Sequence, residues 1–364
     1  MLNVQKFLRE NSIEDLEKDY GMVIKKYDDR ITLNYNQISS PRFHSIADEC
    51  RGLILSLPDY NVLCRPFDRF YNWGEGDTGR NEDISKMTGL SKEDGSCIMV
   101  YHDDHKWCVA TRKMAFAEGE TITGKSYYDL FIEALGSDLQ ETMETYSKNI
   151  TFIFELCTPE NRNIKRYENP VVYLLAIREN DTGKYSSYMT IKGVAKILNV
   201  QVPKKYTFNN YKEIEQVIKD IDATDSLDEG FVLWNEETGY RIKIKSPKYV
   251  AYHHLRNNGD LSPKNISKLV FDNEYHEYLS IYPEDKKFFK PYIDAYKSLV
   301  TTIMDDYEKY KNIEEQKDFA LAIKDLVHKS FLFSLRNGLT ITECFDSLSS
   351  KARVNYLECF KQKE

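Results

Sequence analysis

The chain has 364 residues, room for one large and one smaller domain, and its 41% hydrophobic and 30% charged composition excludes disorder over most of its length. No run approaches the ~18 apolar residues of a membrane span, and the amphipathic, acidic start MLNVQKFLRENSIEDLEKDYG is unlike a secretory or transit peptide, so a cytoplasmic protein is expected. A net charge of −8 leaves any nucleic-acid contact to local basic clusters, and seven scattered cysteines without a C-x-x-C pair argue against a disulfide framework or a zinc site.

From about residue 20 to 250 apolar positions alternate between turn signals, the pattern of strands. Strands are predicted at Leu53–Leu57, Ser96–Tyr101, Trp107–Thr111, Thr151–Leu156, Val171–Arg178, Gly230–Trp234 and Arg241–Lys245, with helices near Tyr127–Leu135 and Lys212–Ile221. After residue 255 the period changes. Tyr292, Tyr296, Leu299, Ile303, Tyr307 and Tyr310 recur every three or four residues, a helix with one apolar face, and Pro291 suits its first turn. Phe319, Ile323, Leu326 and Phe331 continue that period to a stop at Asn337-Gly338. The expectation is an α+β protein: a domain of antiparallel sheets with flanking helices over 1–255, then an all-α domain over 256–364.

Three constellations carry chemistry. Lys92-Glu93-Asp94-Gly95 directly precedes a strand. A lysine amine attacks phosphorus only when unprotonated, so nearby cations and partial burial are expected around it; a plain Asp-Gly turn is the alternative. Arg241, Lys243 and Lys245 share one face of a strand whose other face is Ile242 and Ile244. Such neighbouring cations want an anion between them, for which a triphosphate would serve; a solvated basic edge is the alternative, and Lys248 extends the cluster. Glu155 and Glu229 are carboxylates at strand positions among apolar neighbours, which must be paired, hydrogen-bonded or metal-bound. Two weaker signals read as loops: Gly74-Glu75-Gly76-Asp77-Thr78-Gly79, too acidic for a pyrophosphate, and the hairpin turn His102-Asp103-Asp104-His105.

In order, Lys92-x-Asp94-Gly95, Phe154-Glu155, Glu229-Gly230 and Lys243-x-Lys245 resemble the covalent nucleotidyltransferases, which include DNA ligases, RNA ligases and capping enzymes. Glu49-Cys50-Arg51-Gly52, Arg65-Pro66 through Phe70-Tyr71-Asn72, Arg178 through Gly183, and Lys243 through Ser246 narrow the resemblance to the bacteriophage RNA ligase 1 family. That resemblance implies an N-terminal adenylyltransferase domain, ATP and Mg²⁺ as cofactors, and sealing of RNA 5′-phosphate and 3′-hydroxyl ends. The implied substrate is tRNA broken in the anticodon loop, and the implied protein is a monomer in the host cytoplasm. Residue by residue it implies Lys92 as the AMP-accepting nucleophile, Glu229, Lys243 and Lys245 as its catalytic partners, and Glu155 as the ribose-reading acid. Tyr35, Arg51, Arg69, Tyr71, Gly95 and Arg112 would complete the ATP site, Asp94 and Tyr249 would support activity, and Asp272 would bind metal. Arg69 and Arg112 stand where the family usually has lysine, and Lys113 could replace Arg112. The helical tail is the candidate for tRNA selection. Two rivals remain: a DNA ligase or capping-type enzyme, which would commonly carry a β-rich domain after the Lys-x-Lys strand, and a catalytically silent RNA-binding protein of the same fold.

Overall fold

The structure, a computed structural model, describes residues 1–121, 123–161, 165, 167–223, 227–250, 262–281 and 285–361. The chain forms two compact units, one of residues 1–36 and 40–249, the other of residues 37–39 and 250–364. The expected boundary at residue 255 falls outside the described residues.

In its described residues the first unit is built on three sheets. β1 (Met22–Lys26), β2 (Arg30–Tyr35), β3 (Arg51–Ser56) and β4 (Val62–Cys64) form one in simple order. β5 (Tyr71–Asn72), β6 (Thr88–Ser91), β11 (Lys205–Thr207), β12 (Gly230–Trp234) and β13 (Arg241–Lys245) form another, in the order β11-β6-β12-β13-β5. The third contains β7 (Ser96–His102), β8 (Trp107–Thr111), β9 (Ile150–Cys157) and β10 (Val171–Glu179), in the order β10-β9-β7-β8. Pairing is antiparallel except where β13 runs parallel to β5. The α+β expectation therefore holds.

Burial explains which strands the sequence marked clearly. Ile242 and Ile244 of β13 are 0% and 1% exposed, while Lys243 and Lys245 on the other face are only partly covered. In β9 both faces are covered, so Phe152, Ile153 and Phe154 are all buried and the strand reads as an apolar run interrupted by Glu155. β6 and β7 lie in different sheets, so the four residues Lys92 to Gly95 are the passage between them. Lys92 N donates to the Gly230 carbonyl at 2.9 Å, which ties that passage to the start of β12. Helices Tyr127–Leu135 and Tyr188–Ile197 pack on the β7–β10 sheet through Leu130, Phe131, Leu135, Ile191 and Ala195.

The second unit is helical in its described residues: Pro263–Phe271, Tyr275–Ile281, Lys286–Tyr310, Gln316–Ala322, Lys329–Arg336, Ile341–Asp346 and Ser350–Phe360. Phe289, Tyr292, Ala295, Leu299 and Ile303 of the long helix are the buried stripe that the three-four spacing foretold. Pro291 is not in its first turn, because the helix begins at Lys286 and the proline stands inside it. Proline there forfeits one backbone hydrogen bond; complete burial of Phe289 on the core side holds the extra turn in place. The period from Phe319 to Phe331 also belongs to two helices rather than one, and Val327 between them is 61% exposed.

Candidate active site

The passage between the two sheets brings Lys92 against acids from both. Its Nζ lies 2.6 Å from Glu229 Oε2, and Lys245 Nζ lies 3.5 Å from the other oxygen of the same carboxylate. Glu229 precedes β12, where Gly230 pairs with Lys245 of β13, so strand register alone sets the acid between two lysines. The chain itself thus supplies an anion between Lys92 and Lys245. Glu155 enters from β9 and accepts from the Gly95 amide at 3.1 Å. Burial pushes its carboxyl up to about 7, with the charge of Lys92 pulling the other way and that of Glu229 adding to the rise. Near neutrality it can therefore either accept or donate a hydrogen bond, which suits a ribose hydroxyl.

Backbone geometry explains the two glycines. Gly230 has φ +126°, and a Cβ there would meet the Ile244 carbonyl oxygen at 2.1 Å. At Gly95 a Cβ would stand 2.2 Å from the Leu156 carbonyl oxygen and 2.7 Å from Cys157 Sγ, so its glycine is required by the close pass of β9. Gly95→Ala is expected to lose about 1–3 kcal/mol of stability, because backbone cannot yield as a side chain does, and to displace Lys92. An unchanged thermal melting temperature would show that loop and strand part without cost.

Asp94, 2% exposed, fastens the passage from below. Its carboxylate accepts from the Tyr249 hydroxyl at 2.7 Å and from the Lys165 amide at 2.7 Å, and Lys165 Nζ reaches Asp228 at 2.6 Å. The Tyr167 hydroxyl donates to Glu93 at 3.2 Å and accepts from the Asp94 amide at 3.3 Å. Lys165 and Tyr167 were not foreseen: they lie some seventy residues from Asp94 in a segment without a motif.

A second group of predicted residues gathers around Tyr35. The Arg69 guanidinium lies 4.1 Å from its ring centroid and that of Arg112 4.6 Å. Burial alone would raise the phenol, but Arg112, Arg51, Lys243 and Arg69 together draw it down to about 8. Arg112 takes part and Lys113 is exposed, so the charge at this point in the chain belongs to Arg112. Arg241, third on the basic face of β13, is 5% exposed and sits 3.9 Å from the Tyr185 ring and 4.6 Å from that of Phe67, stacked in the wall.

Two cavities open here. The first is lined by Arg51, Lys92, Glu155 and Lys243 on its polar side and by Phe70, Leu90 and Val232 among its apolar walls. The second is lined by Arg69, Tyr71 and their neighbours, so these two predicted ATP-site residues do not line the first. The Tyr71 hydroxyl donates to Asp48 and accepts from the Phe43 amide at 2.6 Å. Asp272 lies in the helical unit, where its carboxylate accepts from Arg353 at 3.0 Å. Among the described residues no group of three His, Cys, Asp or Glu side chains converges as a metal cage. The acidic Gly-rich segment is a structural turn in which Glu75 pairs with Arg42 and accepts from Asn72. The His102–His105 segment is the β7–β8 turn, with Asp103 held by Arg30 at 3.0 Å.

A family model described as RNA ligase matches residues 49–249. A protein of Autographa californica nuclear polyhedrosis virus, named as a bifunctional polynucleotide kinase/RNA ligase, is 31% identical over 314 residues. The match covers 81% of this chain and 44% of the viral protein, so the chain spans less than half of that relative's length. An RNA ligase of Rhodothermus phage RM378 is 24% identical over 399 residues, covering 90% of both chains. Among solved structures, an archaeal ATP-dependent RNA ligase overlaps with a TM-score of 0.48 at 11% identity, covering 74% of this chain and 68% of that one.

Proposed function

We propose that the chain, which belongs to the RNA ligase family, joins an RNA 5′-phosphate to a 3′-hydroxyl at the expense of ATP, through AMP carried on Lys92. The observation that carries this reading is the Glu229 carboxylate bridging Lys92 at 2.6 Å and Lys245 at 3.5 Å at the edge of a cavity that Arg51, Glu155 and Lys243 also line. A carboxylate in contact with the nitrogen can take the proton that the nitrogen sheds as it bonds to phosphorus.

In the first step the neutral Lys92 nitrogen, its ammonium proton already lost to solvent, forms a bond to the α-phosphorus of ATP, the bond to pyrophosphate breaks, and the one proton the nitrogen sheds in becoming the phosphoramidate passes to Glu229. Lys243, which lines the cavity, and Lys245 beside Glu229 neutralise charge on the phosphate oxygens. Leu90, Val232 and Phe70 offer apolar walls to a base, and Glu155 meets the ribose. In the second step an oxygen of the RNA 5′-phosphate bonds to the same phosphorus, the P–N bond breaks, and Lys92 regains a proton. In the third, the 3′-hydroxyl attacks the activated 5′-phosphate and AMP leaves. A divalent cation, Mg²⁺ by expectation, would be held by the nucleotide phosphates with the carboxylates of Glu155 and Glu229, and would supply further neutralisation. Two acids without a protein cage fit that mode, since Mg²⁺ keeps its waters and binds through one or two carboxylates and substrate phosphate.

Helices where a DNA ligase or capping enzyme would carry a β-rich domain weigh against those rivals. The finer reading, a monomer sealing tRNA broken in the anticodon loop with the helical unit selecting the structured RNA, is supported by the resemblance of its motifs to the phage enzymes. The test is a single-stranded RNA with 5′-phosphate and 3′-hydroxyl ends, incubated with ATP and Mg²⁺. Joined RNA is expected, and Lys243→Ala and Lys245→Ala should each slow adenylation by about 10²–10³. Joining of DNA alone, or parent rates in both variants, would overturn the reading.

A further inference from the structure

We propose that the exposed side of the helix Tyr188–Ile197 and the edge strand β11 form a docking track for the phosphodiester backbone of the RNA strand whose end is sealed. This rests on the reading of the first cavity as the AMP site of an RNA ligase.

Residues 182–212 hold six lysines, Lys184, Lys192, Lys196, Lys204, Lys205 and Lys212, and no acid. In a chain whose net charge is −8, this stretch alone contributes +6. All six are exposed, and among the described residues none forms an ion pair. Other exposed lysines do pair, Lys26 with Glu14, Lys125 with Glu133 and Lys290 with Asp294. Ile191 and Ala195 turn one side of the helix Tyr188–Ile197 onto the β7–β10 sheet. Away from it, Tyr188, Lys192 and Lys196 follow one another at four-residue spacing, a stripe about 12 Å long. Like charges one turn apart repel, a cost that a bound anion relieves.

The chain after this helix leads the charge to the nucleotide. Gln201 exchanges backbone hydrogen bonds with Val172 and Leu174 of β10, and the chain then crosses to β11 at the edge of another sheet. Pro203, on that crossing, stands in the wall of the first cavity. The Lys204 backbone holds Ser91, the residue before Lys92, through its carbonyl at 2.9 Å and its amide at 2.8 Å. Lys205 pairs with Leu90, Leu90 with Val232, and Val232 with Lys243. Residues paired across strands share a face, and the last three all line the first cavity, so Lys205 is the outermost member of that row. Its Nζ lies 4.9 Å from the Tyr188 ring centroid, which joins the helix stripe to the strand edge, and Lys204 Nζ lies 4.9 Å from that of Tyr206. Lysines set among tyrosine rings suit single-stranded nucleic acid, whose phosphates take the charge and whose bases stack. An acidic protein would use the lysines alone and would not need a track that ends beside the nucleotide.

Two double variants test the two halves of the track, Lys192→Ala with Lys196→Ala, and Lys204→Ala with Lys205→Ala. None of the four side chains lines the first cavity, so lysyl-AMP formation from ATP should stay within about twofold of the parent. Binding of a 5′-phosphorylated single-stranded RNA is followed by fluorescence anisotropy between about 50 and about 200 mM salt. Each pair should weaken binding about ten-fold at the lower salt and flatten the slope of log affinity against log salt by about 0.7 for each lysine removed. The matching pairs of Lys→Arg changes keep the charge and should restore the slope. Parent affinity and slope in either alanine pair would overturn the proposal, as would a loss that the arginine pairs do not restore. Loss of lysyl-AMP formation in alanine variants that melt like the parent would give the lysines to ATP and overturn it as well. Failure of the parent to form lysyl-AMP would take down the AMP-site reading and this proposal with it, and shows before any RNA is added.

Discussion

Lys92→Ala is expected to form no detectable AMP adduct and to release no pyrophosphate from ATP, yet to seal RNA whose 5′ end has been adenylated beforehand. The nitrogen that bonds to phosphorus in the first step has no part in bond formation in the third, so the mutation removes one step and spares the other. The fold should tolerate it, because the Lys92 side chain is 23% exposed and its removal leaves Glu229 paired with Lys245. Sealing of the adenylated strand within about ten-fold of the parent rate is the expected result. An adduct persisting on this variant would move the nucleophile elsewhere.

Glu229→Gln should slow lysyl-AMP formation by about 10²–10³, the size of effect that a lost proton acceptor produces. Glutamine keeps the shape and one acceptor oxygen, so a lysine can still be held, but it cannot take the amine proton and it leaves Lys92 and Lys245 without the charge between them. The thermal melting curve distinguishes this from simple damage, since the isosteric change fills the same space. Loss of rate with a parent-like melt supports the proton-accepting role. Parent-like adenylation would reduce Glu229 to a structural ion-pair partner.

Legibility in the sequence followed burial. β8, β12 and β13 and the helix Tyr127–Leu135 match their predicted bounds to the residue: a turn or cap stands beside each, and β13 has one apolar face on the core while β8 and β12 are apolar and covered on both. Glu155 and Glu229 were legible as carboxylates among apolar neighbours, Lys243 by the shared face of its strand and Lys92 by its motif and the resemblance, and the structure brings all four together. Pairings between distant strands left no such mark. That Lys92 lies between two sheets depends on β6 joining β12 and β7 joining β9, which no local pattern reveals. Lys165 and Tyr167 act through a backbone amide and a hydroxyl, contacts that any sequence can supply and no spacing announces. Arg69 and Tyr71 were chosen by resemblance, and only the walls show that they face the second cavity. Pro291 misled because a first-turn preference is a tendency, overridden where an upstream phenylalanine is buried.

The most direct test of the account is mass spectrometry of the parent protein after incubation with ATP and Mg²⁺, on the intact chain and on its peptides. The expected result is a single AMP, lost on adding 5′-phosphorylated RNA and mapped to the peptide containing Lys92. An unmodified chain, or an AMP carried on Lys165, Lys243 or Lys245, would contradict it.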